Sequence, residues 1–324
     1  MTVRQAEPTT AEPADPEIFR RELTGYCYRM LGSGADAEDA VQEVMLKAWR
    51  AAGKFEGRSS LRSWLYRIAT NTCIDAIRAG SRRAMPVQLG PARPPVEESL
   101  ADVLPDGSWV SPIADDRVLP PEADAADHAE YRESIRLAFV AALQLLPARQ
   151  RAVLILREVL RWRADEVAAL LDVSAAAVNS ALQRARSTLA ATRTESARPL
   201  DAPSAELVDR YVDAFERYDI AEFTRLLHAD AVQTMPPLAM WLRGSDDIGR
   251  WMLGVGAECR GSRILPTSAN GCPTFAQYRI DPAGGHAPWA LHVLAVRGGK
   301  VAGIHSFLDA ANLFEAFGLP AHLD

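Results

Sequence analysis

Cysteine is scarce. The four residues Cys27, Cys73, Cys259 and Cys272 lie far apart in a chain of 324 and form no C-x-x-C pair. That spacing excludes a zinc ribbon and gives no disulfide framework, so free thiols in a reducing cytoplasm are expected. No apolar run approaches the roughly 20 residues that span a bilayer, so no membrane partner is expected. The first 16 residues lack an apolar core segment and read as a short disordered tail, not a secretory signal. No metal-spaced His/Asp cluster and no phosphate loop is present, so neither metal nor cofactor is expected. Basic excess is missing too: 36 Lys and Arg face 42 Asp and Glu, net −6. Taken whole, that balance argues against a nucleic-acid partner.

What is present divides the chain. Residues 17–85 contain no proline and read as helical. Residues 86–132 hold Pro86, Pro91, Pro94, Pro95, Pro105, Pro112, Pro120 and Pro121, with little helical periodicity until their end, as in a linker. Residues 133–198 are helical again, and Pro199-Leu200-Asp201-Ala202-Pro203 opens a segment, 199–324, that begins with helices and ends in strands. Charge follows these boundaries: −2 over 1–16, +4 over 17–85, −7 over 86–132, +4 over 133–198 and −5 over 199–324. The acidic total hides two basic helical modules joined by an acidic tether.

In the first module, Asp36-Ala37-Glu38-Asp39 places acids at a helix start, where the dipole favours them. Val41, Val44, Met45, Ala48 and Trp49 then recur at helical spacing as a buried stripe, leaving Asp39, Gln42, Glu43 and Lys47 outside it. A second helix follows a cap at Ser59 or Ser60, with Leu61, Leu65, Ile68, Thr72 and Ala76 as its apolar face. Its remaining residues are Arg62, Trp64, Tyr66, Arg67, Asn71, Asp75 and Arg78, followed by Arg82 and Arg83. Basic side chains interleaved with aromatics suit single-stranded nucleic acid, the arginines on phosphates and the rings on unpaired bases. Trp64 and Tyr66 equally suit a core, and Arg62 and Arg67 a solvated face.

In the second module, Pro147 suits a first helical turn. A short helix from about Ala164 to Leu171 turns Val167, Leu170 and Leu171 inward, Asp172-Val173 makes a tight turn, and Ser174 caps a further helix whose inward stripe is Val178, Leu182, Ala185 and Leu189. This is a helix-turn-helix pattern, with small Ala168 at the close approach. Asp172 stands where glycine is usual, and aspartate tolerates the left-handed conformation better than most residues. The outward residues Ala175, Ala176, Ala177, Asn179, Ser180, Gln183, Arg184 and Arg186 suit a major groove, with Asn and Gln for adenine edges and Arg for guanine or phosphate. A plain helical hairpin is the alternative.

Together the modules resemble the sigma-70 family, specifically its extracytoplasmic function (ECF) group. Ala37-Glu-Asp-Ala-Val-Gln-Glu-Val-Met-Leu-Lys-Ala-Trp-Arg50 resembles region 2.2, Phe55 through Arg78 resembles regions 2.3 and 2.4, and Ala177-Val-Asn-Ser-Ala-Leu-Gln-Arg-Ala-Arg186 resembles region 4. The resemblance implies a bacterial transcription initiation factor in the cytoplasm that binds core RNA polymerase and promoter DNA. It implies docking on the β′ clamp coiled coil through Asp39, Gln42 and Glu43, with Trp49 in support. It implies −10 recognition and melting by Arg58, Arg62, Trp64, Arg67, Asn71, Asp75, Arg78, Arg82 and Arg83. Reading of the −35 element falls to Ser174, Ala177, Asn179, Ser180, Gln183, Arg184 and Arg186. The acidic linker would then thread the polymerase channel as a phosphate mimic.

The C-terminal segment shows amphipathic helices at 204–217 and 220–227, a capped third from Ser245, and strands near 262–269, 273–281, 287–297 and 300–308, with turns at Gly284-Gly285 and Gly298-Gly299. It resembles the SnoaL-like, nuclear-transport-factor-2-like α+β cone. The expected whole is multidomain: two all-α sigma modules and an α+β cone. Some such cones are enzymes with a carboxylate base. Asp209, Asp213, Asp309, His292 and His305 are the candidates, and Trp241, Gln277, His292 and His305 could line a pocket for a small-molecule ligand. His292 alternates in phase with Leu294 and Val296, which suits a satisfied core histidine as well as a base, and no catalytic residue is assigned. The acidic extension is expected to pack on the basic modules in the free protein and regulate it in cis, without a separate anti-sigma factor.

Overall fold

The structure, a computed structural model, describes residues 15–55, 57, 59–80, 82–119, 125–191 and 204–324. Arg58, the expected tail up to residue 14 and the Pro199–Pro203 break lie outside the described residues.

Three helices form the first module: α1 (Arg20–Leu31), α2 (Gly34–Ala51) and α3 (Leu61–Ala79). Every residue from Leu23 to Leu31 is buried, because α1 is the central helix. The Ser33 hydroxyl accepts from Asp36 N at 3.2 Å to start α2, and the Ser60 hydroxyl accepts from Ser63 N at 3.1 Å to start α3, so the cap is Ser60. Gly34 cannot be larger: a Cβ there would stand 2.6 Å from the Pro112 carbonyl oxygen.

The proline-rich stretch is a strap with its own hydrogen bonds. Arg93 N donates to Trp241 O, Leu104 N to Pro237 O and Ala239 N to Asp102 O, while Ser111 N donates to Gly32 O. Val110, Ile113, Val118 and Leu119 are buried along it, the last two at and just after the short α4 (Asp115–Val118).

The second module contains α5 (Ala125–Ile135), α6 (Leu137–Leu143), α7 (Ala148–Leu154), α8 (Ala164–Leu171) and α9 (Ala175–Ala191), with one π turn at Ile155–Val159 after α7. Asp172 ends α8 at φ 54°, ψ 54°, the left-handed conformation its side chain suits. The Ser174 hydroxyl accepts from Ala177 N at 3.2 Å, so the turn and cap are as the sequence predicts.

The third module is α+β. Helices α10 (Ala205–Glu216) and α11 (Ile220–Leu226) precede β1 (Leu227–Thr234) and β2 (Trp241–Arg243); α12 (Ser245–Leu253) follows, then β3 (Arg263–Ala269), β4 (Cys272–Ile280), β5 (His286–Arg297), β6 (Lys300–Phe307) and α13 (Ala310–Ala316). The sheet order is β2-β1-β6-β5-β4-β3, with β1 parallel to β6 and the other neighbours antiparallel. One face, bearing Phe275, Leu294, Val296 and Ile304, packs with Tyr211, Phe215 and Phe223 of α10 and α11. The opposite face, bearing Cys272, Ala276, Leu291, Val293 and Phe307, belongs to the same apolar core as the helices of the first two modules. Alternation on β4 to β6 thus serves two cores at once.

Candidate polymerase and nucleic-acid interfaces

Helix α2 buries Val41, Val44 and Ala48, half-buries Met45, and exposes Asp39, Gln42, Glu43 and Leu46. Trp49, which helical spacing assigns to the buried stripe, is 78% exposed. The correction has a geometric cause. The Val41–Val44–Ala48 line packs toward α1 and α3, and Trp49, seven residues after Gln42 and three after Leu46, falls in phase with those exposed residues rather than with the buried line. An exposed tryptophan beside an exposed leucine and acidic and amide groups makes this face a candidate docking surface.

Helix α3 divides along its length. Tyr66 is wholly buried, with its hydroxyl donating to Glu22 Oε1 at 2.8 Å, so it is a core residue. Ala76, expected on the apolar face, is exposed, and Ile77 beside it packs against the core instead. Trp64 is half-buried and packs against Phe55 with ring centroids 5.0 Å apart and the planes tilted by 40°. Arg62 is paired with Glu22 and lies 5.5 Å from the Tyr66 ring and 5.2 Å from the Trp162 ring. Arg67 donates to Ala169 O of α8 at 3.1 Å. Farther on, Asn71, Asp75, Arg78 and Arg82 are exposed, with Arg78 3.5 Å from Asp75. Arg83 differs from its expected role: only 15% of its side chain is exposed, it pairs with Asp36, and it donates to Trp109 O at 3.3 Å. It fastens the strap to α2.

On α9, Val178, Leu182 and Ala185 are buried and Leu189 is half-buried, while Ala177, Asn179, Ser180, Gln183, Arg184 and Arg186 are exposed, as is the capping Ser174. Arg186 pairs with Glu158 at 2.5 Å. The outward face is not covered by the C-terminal module, contrary to the expectation that the acidic extension would lie over the basic faces. The extension meets the rest of the chain through its apolar sheet face instead, because Leu291, Val293 and Phe307 gain more from burial than acidic groups gain from screened attraction.

The first two modules are docked directly. Besides the Arg62–Trp162 and Arg67–Ala169 contacts, Arg151 of α7 donates to Met30 O at the end of α1, to Gln144 Oε1 at 2.5 Å and to the Gln144 and Leu146 carbonyls at 3.1 Å each. Burial lowers the Arg151 pKa to about 10. One residue ties this seam to the strap and the sheet. Asn270, at the β3–β4 turn, is 0% exposed. Its amide donates to the Tyr28 hydroxyl of α1 and to Ile135 O of α5, both at 2.6 Å, and its Oδ1 accepts from Ile113 N of the strap at 3.2 Å. Next to it Gly271 N donates to Asp115 Oδ1 at 2.7 Å, and burial raises the Asp115 pKa. Sequence reasoning missed Asn270, Glu22, Trp162 and Arg151. An Asn-Gly pair signals a two-residue hairpin turn, and both residues do take positive φ, but that signal says nothing of distant partners.

Three families match the three modules: Sigma-70 region 2 over residues 17–83, Sigma-70 region 4 over 136–189, and the SnoaL-like domain over 208–304. The chain is 43% identical to the ECF RNA polymerase sigma factor SigG of Mycobacterium tuberculosis over 337 aligned positions, covering 98% of this chain and 89% of that protein. The chain belongs to the ECF sigma factors. It is 27% identical to SigJ of the same species over 253 residues, 75% of this chain and 73% of that one. The crystal structure of Mycobacterium tuberculosis SigJ has the same fold, with a TM-score of 0.59 at 22% identity over 94% of this chain and 98% of that chain. The factor therefore works with core RNA polymerase and promoter DNA to start transcription. Among the described residues no helix is long and apolar enough to cross a membrane.

Within the sigma factor's SnoaL-like domain the pocket candidates separate. Trp241 is buried against the strap, its Nε1 donating to Gly90 O at 2.9 Å. Gln277 and His292 sit on the helix-covered sheet face in a closed chain of hydrogen bonds: Gln277 Nε2 donates to Ser262 Oγ at 2.9 Å, Gln277 Oε1 lies 2.7 Å from His292 Nε2, and His292 Nδ1 lies 2.8 Å from Ser306 Oγ. Burial lowers the His292 pKa to about 4. It is a satisfied core histidine. His305 points to the other face, with Nδ1 3.0 Å from Thr234 Oγ1. Asp209, Asp213 and Asp309 are exposed. The candidate bases and acids are therefore not gathered in one pocket, and no group of three metal-ligating side chains occurs among the described residues.

Proposed function

We propose that the SnoaL-like domain regulates this sigma factor in cis by holding regions 2 and 4 in a docked, promoter-incompetent arrangement. The observation that carries the reading is Asn270, a single buried side chain bonded at once to α1, to α5 and to the strap. The −10 and −35 elements stand about 25 base-pair steps apart by position, roughly 85 Å at about 3.4 Å per step. Helices α3 and α8 in contact cannot serve both, so the modules part on polymerase. In the parted state α3 recognises the −10 element through Arg62, Trp64, Arg67, Asn71, Asp75, Arg78 and Arg82. Helix α9 reads the −35 element, and Asp39, Gln42, Glu43, Leu46 and Trp49 dock on the β′ clamp. The domain acts as a clasp and not as a catalyst, the factor works in the cytoplasm beside polymerase, and no separate anti-sigma factor is needed.

Asn270→Ala removes the hydrogen bonds of Asn270 from the clasp, leaving its apolar contacts and the turn glycine in place. Promoter-dependent transcription at limiting sigma factor should rise about tenfold, the equivalent of about 1.4 kcal/mol. A folded Asn270→Ala protein with unchanged transcription and unchanged core affinity sinks the reading.

A further inference from the structure

A cavity of about 140 Å³ lies where all three modules meet. Its floor is the sheet face of Val293 and Ala295, its roof is Leu137 and Ala141 of α6 with Leu145 two residues past its end, and Val87 closes it from the first residues after region 2. This is the sheet face opposite to His292, outside the interior expected of a SnoaL-like cone. The volume exists because α6 turns small side chains toward the sheet, Ala138, Ala141 and Ala142 in place of a second row of leucines. An apolar cavity near 150 Å³ stays dry and accepts one benzene-sized ring. The lining is mostly aliphatic; Arg136, already paired with Glu133 at 2.7 Å, and His305 reach it, and Arg243 and Arg297 stand in it against the single lining carboxylate of Asp230, so the polar edge is net positive.

We propose that this cavity binds a small aromatic carboxylate, one ring in size, with the ring between α6 and β5 and the acid at the arginine edge. Because region 2's exit, region 4 and the sheet each supply a wall, the complete site exists only in the docked arrangement. Ligand therefore favours that arrangement by its full affinity: at a concentration 100 times its Kd, the docked form gains about 100-fold over the parted one. The site makes the clasp responsive to a metabolite, and in this second step it rests on the cis-regulation reading above.

The test is titration of the full-length factor with benzoate, with benzyl alcohol as the uncharged twin, followed by calorimetry and by core polymerase binding. Benzoate should bind saturably at one site, at least fivefold tighter than benzyl alcohol. Ala295→Leu, which fills the cavity, should cost benzoate tenfold or more. Arg243→Gln, farther from the core, should remove the preference for the acid, and thermal melts establish that both variants fold. Saturating benzoate should raise the sigma concentration needed for half-maximal core binding by tenfold or more. No saturable binding of either probe, or binding untouched by Ala295→Leu, overturns the site. Equal affinity for the two probes overturns the carboxylate specificity. Benzoate binding that depends on Ala295 yet leaves core affinity unchanged overturns the coupling while leaving the site in place, and the cis-regulation reading is tested separately by Asn270→Ala without ligand.

Discussion

At the scale of single residues, exposure decides role. Trp49 contributes little to the fold because 78% of it is in water, so Trp49→Ala should shift stability by no more than about 0.5 kcal/mol. As the aromatic centre of the α2 surface it should cost about 2 kcal/mol of polymerase affinity, roughly 30-fold. Chemical denaturation and a core-binding titration measure the two numbers, and a large stability loss with intact binding contradicts the assignment. His292 makes the reverse case. Its folded pKa is held near 4 by burial, whereas free imidazole titrates near 6.5. Between those values the unfolded chain binds a proton that the folded chain refuses, so stability falls as pH drops from about 6.5 to about 4. Burial holds His305 at about 4 in the same way, so His292→Gln should remove roughly half of that slope in urea melts at pH 7.5 and 5.0. Period-two alternation with Leu294 and Val296 made the burial of His292 legible. The exposure of Trp49 is encoded only in its helical phase with Gln42 and Leu46, and the apolar indole hides that signal.

At the scale of elements, the sequence told most where the pattern is local. Asp172 and Ser174 marked the turn and cap between α8 and α9, and the inward stripe of α9 left its outward face by subtraction. The four strands β3 to β6 followed from alternation between glycine turns. β1 and β2 did not: Leu227–Thr234 carries His228, Asp230 and Gln233 among its alternating residues and pairs in parallel with β6, far along the chain, while β2 is three residues long. The strap was hidden for a related reason, since backbone hydrogen bonds to remote carbonyls hold it and leave no side-chain period. Two consequences belong to this scale. Arg184→Ala on α9 should weaken binding to promoter duplex and reduce the slope of log affinity against log salt by about 0.9 if that arginine meets a phosphate. An unchanged slope with a base-dependent loss would instead place Arg184 on a base edge. Trp162→Ala should loosen α8 from α3 and raise the free factor's affinity for a single-stranded −10 oligonucleotide several-fold in fluorescence anisotropy. No change would mean that Arg62 and Arg67 are not masked by region 4.

At the scale of the whole molecule, the net charge of −6 misleads and its distribution informs. Two modules of +4 each carry the nucleic-acid faces, yet the acidic parts do not shield them. Region 4 masks part of α3, and the SnoaL-like domain holds both regions by apolar burial and one asparagine. The sequence could identify the modules but not the clasp, because the clasp is made of contacts between residues more than 100 positions apart, such as Asn270 with Tyr28 and Ile135. The central claim is that this docked arrangement is the free state and must open for transcription. Spin labels at the exposed Ala79 of α3 and Ala190 of α9 would measure it, in the free factor and in the promoter complex with core polymerase. The account predicts one short distance in the free protein, a distance longer by tens of ångströms in the complex, and a partial shift toward the long distance in free Asn270→Ala. Equal distances in the free and bound states would contradict it.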